Sequence, residues 1–241
     1  MGVGPLWTVA LAVLGGLLGP VLRARIFHHC VPSDEDWRVA CPQCSHRLAH
    51  RLTSVLPPTG RCPSCGGRIG PLPFSVEVAT AAVFALLALR VSDPWVLAAL
   101  CWIAALGVAM WYIDIAVYRL PDQLTYAAFA GALLLLAGSG ELAHTGWAAV
   151  NGGGMAASYL LLIIVYPAGM GLGDAKLALS LGTALGWFGW VVTVLGASAG
   201  FVFAGAFSVV ALIAGWVTRK SRIPHGPFML LGALATILVL A

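Results

Sequence analysis

The chain has 241 residues, of which 60% are hydrophobic and only 9% charged, with a formal net charge of +4 at pH 7. Soluble domains carry about 25% charged residues, so this composition excludes an ordinary water-soluble domain and reads as an all-α polytopic membrane protein. A net positive charge would point to nucleic acid in a soluble chain; here the placement of the charges matters more than their sum.

A spanning helix needs about 20 predominantly apolar residues, with a range of roughly 17 to 25. The candidate spans cover residues 5–22, 74–89, 95–113, 124–137, 148–166, 175–188, 190–217 and 228–241. About eight transmembrane helices are therefore expected, with both termini outside. The first has no basic segment before it, and its positive charges follow it. It reads as a retained helix rather than a cleaved signal peptide.

The inside loops are then 23–73, 114–123, 167–174 and 218–227. Arg23, Arg25, Arg38, Arg47, Arg51, Arg61 and Arg68 fall in the first, and Arg219, Lys220 and Arg222 in the last. Both loops read as cytoplasmic by the positive-inside rule. With Arg119 in the second loop and Lys176 just past the third, every Lys and Arg except Arg90 lies on the inside. Asp93-Pro94 marks an outer turn, and Gly138-Ser-Gly140 opens an outer loop. Domain organisation follows as a first helix (1–22), a cytoplasmic loop domain (23–73) and a membrane-embedded core (74–241). No internal repeat and no coiled coil is evident.

The loop domain carries Cys41-Pro-Gln-Cys44 and Cys62-Pro-Ser-Cys65, two C-x2-C knuckles separated by 17 residues. That is the spacing of a zinc-ribbon-like site, in which Cys41, Cys44, Cys62 and Cys65 would bind structural zinc as thiolates. Disulfides are disfavoured in a cytoplasmic loop, where thiols stay reduced. Cys30 and Cys101 are left without a role, as are His28, His29, His46, His50 and His144. Few aromatic or basic residues accompany the knuckles beyond Arg47, Arg51, Arg61 and Arg68, so no nucleic-acid partner is expected.

Acidic residues inside a largely apolar chain carry most of the functional signal, because a carboxylate deep in the bilayer costs about 2.5–3.5 kcal/mol or more. Asp114 ends the third span. A negative charge at a helix C-terminus opposes the helix dipole, which favours function over structure there; Arg119 would offset part of the charge. Leu120 precedes a proline, which breaks the helix. Asp122 then stands at the start of the fourth span, with Thr125 three residues on. It reads as an N-cap or as a supporting group of the site.

Asp174 lies in Gly169-Met-Gly-Leu-Gly-Asp-Ala-Lys176, whose glycines Gly171 and Gly173 permit tight bending and close approach. It reads either as an N-cap of the sixth span or as a member of a catalytic pair with Asp114. Two neighbouring carboxylates cannot both ionise, so one serves as acid and the other as base. Lys176 would hold Asp174 ionised, bind a substrate carbonyl or carboxylate, or snorkel at the interface. Glu77 would recognise a positive substrate group or hydrogen-bond to the cysteine loop. The run from Gly152 to Ala157 reads as helix packing.

These stretches together resemble the type IV prepilin peptidases, a family of intramembrane G-x-G-D aspartyl proteases. The similarity runs through the first span, the paired cysteine knuckles, Pro73-Phe-Ser-Val-Glu-Val-Ala-Thr80, residues Asp114 to Thr125, Gly169 to Leu177, and Ile223-Pro-His-Gly-Pro-Phe228. The chain departs from the family pattern at three places. The segment Gly19 to Pro32 lacks the family's asparagine, Ala168 stands where an acidic residue often precedes G-M-G, and His225 replaces the usual Phe.

The resemblance implies an inner (cytoplasmic) membrane enzyme in contact with the lipid bilayer, with Asp114 and Asp174 as its catalytic pair facing the cytoplasm. It would remove the leaders of prepilins and pseudopilins after glycine. The bifunctional members also methylate the new N-terminal amine with S-adenosylmethionine. One rival is a related G-x-G-D protease with other substrates; another is a polytopic transporter or scaffold with a zinc-binding cytoplasmic loop.

Overall fold

A computed structural model of the protein describes residues 4–32, 35–48, 54–167, 169–218 and 221–240. His50, Arg51, Ala168, Arg219 and Lys220 lie outside the described residues. The helices are α1 (Pro5–His29), α2 (Ser75–Ala88), α3 (Pro94–Val117), α4 (Asp122–Ala137), α5 (Leu142–Val165), α6 (Leu172–Gly186), α7 (Trp190–Ile213) and α8 (Gly226–Leu240). Each coincides with one of the apolar stretches expected to span. Among the described residues there is no strand, only the isolated bridges Ala40–Arg47 and Arg61–Arg68.

Among the described residues four helices are long and apolar enough to cross a membrane: α1 with 25 residues, and α3, α5 and α7 with 24 each. At about 1.5 Å per residue they reach roughly 36 Å, more than the bilayer's hydrocarbon core of about 30 Å. The helices α2, α4, α6 and α8 have 14, 16, 15 and 15 residues, which fall short of that thickness as straight rods.

The chain divides into two compact units, Met1–Pro121 and Asp122–Ala241. In the first, α1 packs on α2 and α3. Gly15 and Gly19 lie one turn apart on the face of α1 that meets α2. A Cβ at Gly15 would sit 2.8 Å from the Thr80 carbonyl oxygen, and one at Gly19 would run into the Glu77 side chain. This is the small-residue contact by which membrane helices approach closely. Helix α1 continues seven residues past the expected end of its span, because the first basic residue it meets, Arg23, is neutralised within the fold. At the start of α3, Asp93 Oδ1 accepts from the Trp95 and Val96 N–H groups, 2.9 Å each, and Pro94 occupies the first turn where no N–H is needed.

In the second unit α5 packs most extensively on α6. A Cβ at Gly182 would lie 2.9 Å from the Gly152 Cα, and one at Gly186 would lie 3.1 Å from the Ala148 carbonyl oxygen. Advancing along α5 therefore retreats along α6, so the pair is antiparallel. Of the glycine run on α5, Gly152 makes the close approach, while Gly153 and Gly154 face open space. Helix α4 also lies on α6, where the Ser180 hydroxyl donates to the Thr125 carbonyl at 3.1 Å.

Candidate active site

The cysteine loop is built from two turns of the same design. Cys41 N–H donates to the His46 carbonyl and Ser45 N–H to the Cys41 carbonyl, each at 2.9 Å. In the second turn Cys62 N–H donates to the Gly67 carbonyl at 2.8 Å and Gly66 N–H to the Cys62 carbonyl at 2.9 Å. Ser45 and Gly66 take the same left-handed backbone, with φ of 57° and 71°. Both turns carry the same C-P-x-C-x-x-R pattern, Cys41 to Arg47 and Cys62 to Arg68, with Ser in one turn where Gly stands in the other.

The four sulfurs lie within 4.8 Å of one another, with Cys41–Cys65 and Cys44–Cys62 both at 3.8 Å. Sulfurs about 2.3 Å from a tetrahedral metal are themselves about 3.8 Å apart, so the cluster fits a metal ion. A disulfide needs about 2.05 Å. Behind the cluster, Cys41 and Cys62 join Leu48, Leu56 and Ile69 in a small core closed by Ala24 and Phe27 of α1.

Glu77 meets Arg23. Arg23 Nε and one terminal nitrogen donate to the two Glu77 oxygens at 2.8 Å each, and the guanidinium also donates to the Pro71 and Leu72 carbonyls at 3.2 and 2.9 Å. Glu77 is thus linked to the end of the cysteine loop through Arg23.

Asp114 lies one turn before the end of α3 and is only 5% exposed; its carbonyl accepts the Tyr118 N–H at 2.8 Å, with Tyr118 in a left-handed conformation. The helix thus continues to Val117, past the position expected to end it. Arg119 points its guanidinium over the Trp37 ring, 4.5 Å from the centroid, and donates to the Pro32 carbonyl at 3.4 Å.

In the second unit Asp174 is 7% exposed. It occupies the third helical position of α6 rather than the N-cap, which is Gly171. The Gly171 N–H donates to Asp174 Oδ2 at 3.0 Å. Glycine has no side chain to reciprocate, so this is one half of a capping box. Gly173 lies between them in the first turn. Lys176, on the same turn, donates to Asp122 Oδ1 at 2.6 Å and lies 5.5 Å from the Tyr126 ring centre. Asp122 starts α4, and its carbonyl accepts the Thr125 hydroxyl at 3.1 Å. The structure therefore brings Asp122 and Lys176 together, seats Asp174 against Gly171, and places Asp114 in the other unit. Among the described residues, Asp114 and Asp174 are the acidic side chains that are buried.

Two further residues near this site carry no role in the sequence reading. Tyr159 of α5 is 2% exposed and close enough to Asp174 to feel its charge. His225 precedes α8, with its ring 6.0 Å from that of Tyr159 and 5.0 Å from that of Phe201. Burial pushes the His225 imidazole down to about 4, so it is neutral at physiological pH. Tyr159 could have been found by spacing: it is one turn beyond Met155, on the face of α5 that meets α6. His225 was visible only as a departure from a pattern.

A family model described as the type IV leader peptidase family matches residues 95–241. A protein of Aeromonas hydrophila named prepilin leader peptidase/N-methyltransferase is 34% identical over 207 residues, covering 80% of this chain and 68% of its own length. A protein of that name from Burkholderia pseudomallei (strain K96243) is 35% identical over 228 residues, covering 88% and 68%. Another, from Dichelobacter nodosus, is 27% identical over 233 residues, covering 91% and 75%. No solved structure matches.

Proposed function

This chain belongs to the type IV leader peptidase family, and we propose from that premise that it cleaves the leaders of type IV prepilins and pseudopilins after glycine, with Asp114 and Asp174 as the catalytic pair. The observation that carries the assignment is burial: among the described acidic residues only these two are withdrawn from solvent. Each stands within a turn of a helix end. The family match does not favour the transporter or scaffold alternative.

In the proposed mechanism one carboxylate takes a proton from water as the water oxygen bonds to the scissile carbonyl carbon. The protonated partner donates to the carbonyl oxygen, and a proton then passes to the leaving nitrogen as the C–N bond breaks. The pair shares one proton, so its titration belongs to both groups together. Asp174 Oδ2 accepts the Gly171 N–H, which fixes the orientation of the carboxylate at the start of α6. Asp122, Lys176, Gly171, Gly173 and Glu77 are proposed as supporting groups: Lys176 and Asp122 join α4 to the first turn of α6, and Glu77 holds the cysteine loop through Arg23.

All eight helices are proposed to lie in the inner membrane, the short ones at a depth where the site meets the cytoplasm. The first helix (1–22), the loop domain (23–73) and the peptidase core (74–241) are its proposed functional parts. Zinc is the proposed occupant of the cysteine cluster, where it would fold the loop without entering the reaction.

The relatives' names also include N-methyltransferase, and S-adenosylmethionine is the methyl donor this would require. The cavity of about 970 Å³ between α5 and α7 is lined by groups such as Trp147, Met155, Leu162, Trp187 and Phe201. It offers no carboxylate for the donor's ribose or amino group and does not fit it. Cleavage of a prepilin by wild type, and its loss in Asp114→Asn and Asp174→Asn, tests the proposal.

A further inference from the structure

Among the described residues, two buried side-chain polar atoms have no hydrogen-bond partner: Tyr159 Oη and His225 Nε2. A buried donor left unpaired carries its full desolvation penalty, so such atoms in a folded chain call for an explanation. Both belong to one cluster. The Tyr159 ring lies 5.5 Å from Phe201 and 6.0 Å from His225, centre to centre.

The cluster stands beside the first turn of α6 for a geometric reason. In the antiparallel pair, Gly152 of α5 lies against Leu179 and Thr183, and Met155 lies against Gly182. Tyr159, two turns beyond Gly152 along α5, therefore faces α6 about two turns before Leu179 and Thr183, around residues 172–176, where Asp174 sits. The two are near enough to interact electrostatically. The Asp174 carboxylate already accepts the Gly171 N–H, while the phenol makes no hydrogen bond to it or to any other group.

We propose that the Tyr159 hydroxyl is a second hydrogen-bond donor to the scissile carbonyl oxygen, beside the protonated carboxyl of the pair, and that the rings of Phe201 and His225 hold it in place. The proposal rests on the peptidase reading of Asp114 and Asp174. A phenol keeps its proton at neutral pH, so it stabilises the developing oxyanion without entering the proton transfers. Shielded from water, it is not spent on solvent, and a preorganised donor in such surroundings is worth far more than one in water. His225 contributes as a neutral ring.

The test uses the full chain in lipid with a synthetic prepilin. Wild type must cleave at the leader junction and Asp174→Asn must not; an uncut prepilin with wild type overturns the peptidase reading and this one with it. Tyr159→Phe, which keeps the ring packing, is expected to lower kcat about 100-fold with KM within about twofold. Replacing Tyr159 by a fluorinated tyrosine of lower pKa should abolish activity above that pKa, at pH values where wild type still works. Unchanged kcat in Tyr159→Phe, or an unmoved pH profile with the fluorinated residue, overturns the proposal. A shift of the acidic limb alone, with full activity at the optimum, would assign the phenol to Asp174 and also overturn it.

Discussion

Arg23 and Glu77 form a two-pronged ion pair, with both N–O distances at 2.8 Å, between α1 and α2. The Arg23 side chain is 2% exposed and that of Glu77 13%. Gly19 leaves the space that the Glu77 side chain fills. The same guanidinium holds two carbonyls at the end of the cysteine loop, so a single side chain ties two helices and the loop together.

Removing one partner of such a pair strands the other. Arg23→Ala is expected to lower stability by about 3–5 kcal/mol, and Glu77→Ala by a similar amount. Thermal unfolding of the purified protein in one detergent measures it. Equal melting temperatures for wild type and Arg23→Ala would refute this role.

The Asp122–Lys176 pair is expected to behave differently despite its short distance. The Asp122 side chain is 61% exposed and that of Lys176 29%, and exposed pairs contribute about 0–1 kcal/mol. Asp122→Asn should leave the melting temperature nearly unchanged. A loss comparable to that of Arg23→Ala would show that the pair is shielded by lipid or by another part of the chain.

Metal removal gives a third prediction. Thiols bind metal only after losing their protons, so affinity falls as pH falls. Elemental analysis should find one zinc per chain at pH 7, less at pH 5, and none in Cys44→Ser. Because the cluster closes the small core around Leu48, Leu56 and Ile69, chelation should open residues 41–65 to protease. A loop equally resistant with and without metal would contradict this.

His225 predicts the direction of an acid effect. Its folded value of about 4 lies below the ordinary imidazole value of 6.5 because the ring is buried. Above pH 6.5 both folded and unfolded forms are neutral. Between pH 6.5 and 4 the unfolded chain binds the extra proton, so stability falls as pH falls through that window. His225→Phe should flatten the dependence there, as read from melting temperature against pH. An unchanged slope would contradict the buried neutral imidazole.

Much of this architecture was legible in composition. Apolar runs bounded by charge and Gly/Pro located all eight helices, and cysteine spacing located the cluster. Boundaries were less legible where charge was taken to mean a helix end. By its charge Arg23 reads as part of a loop, yet Glu77 neutralises it and α1 continues to His29. Gly171-Leu-Gly173-Asp174 read as a loop because of its glycines, yet α6 begins at Leu172 and Asp174 hydrogen-bonds back to its N-cap. Tyr159 was hidden for another reason: an aromatic residue in an apolar run has the same sequence signature whether its hydroxyl is satisfied or waiting for a partner.

The mass of a prepilin N-terminus after co-expression with wild type, Asp114→Asn and Asp174→Asn tests the central claim most directly. Loss of the leader with wild type and an intact leader with either variant is the predicted result. A product carrying about 14 Da more, one methyl group in place of hydrogen, would add the methylation that the relatives' names describe. A prepilin still cut normally by both folded variants would contradict the assignment of the catalytic pair.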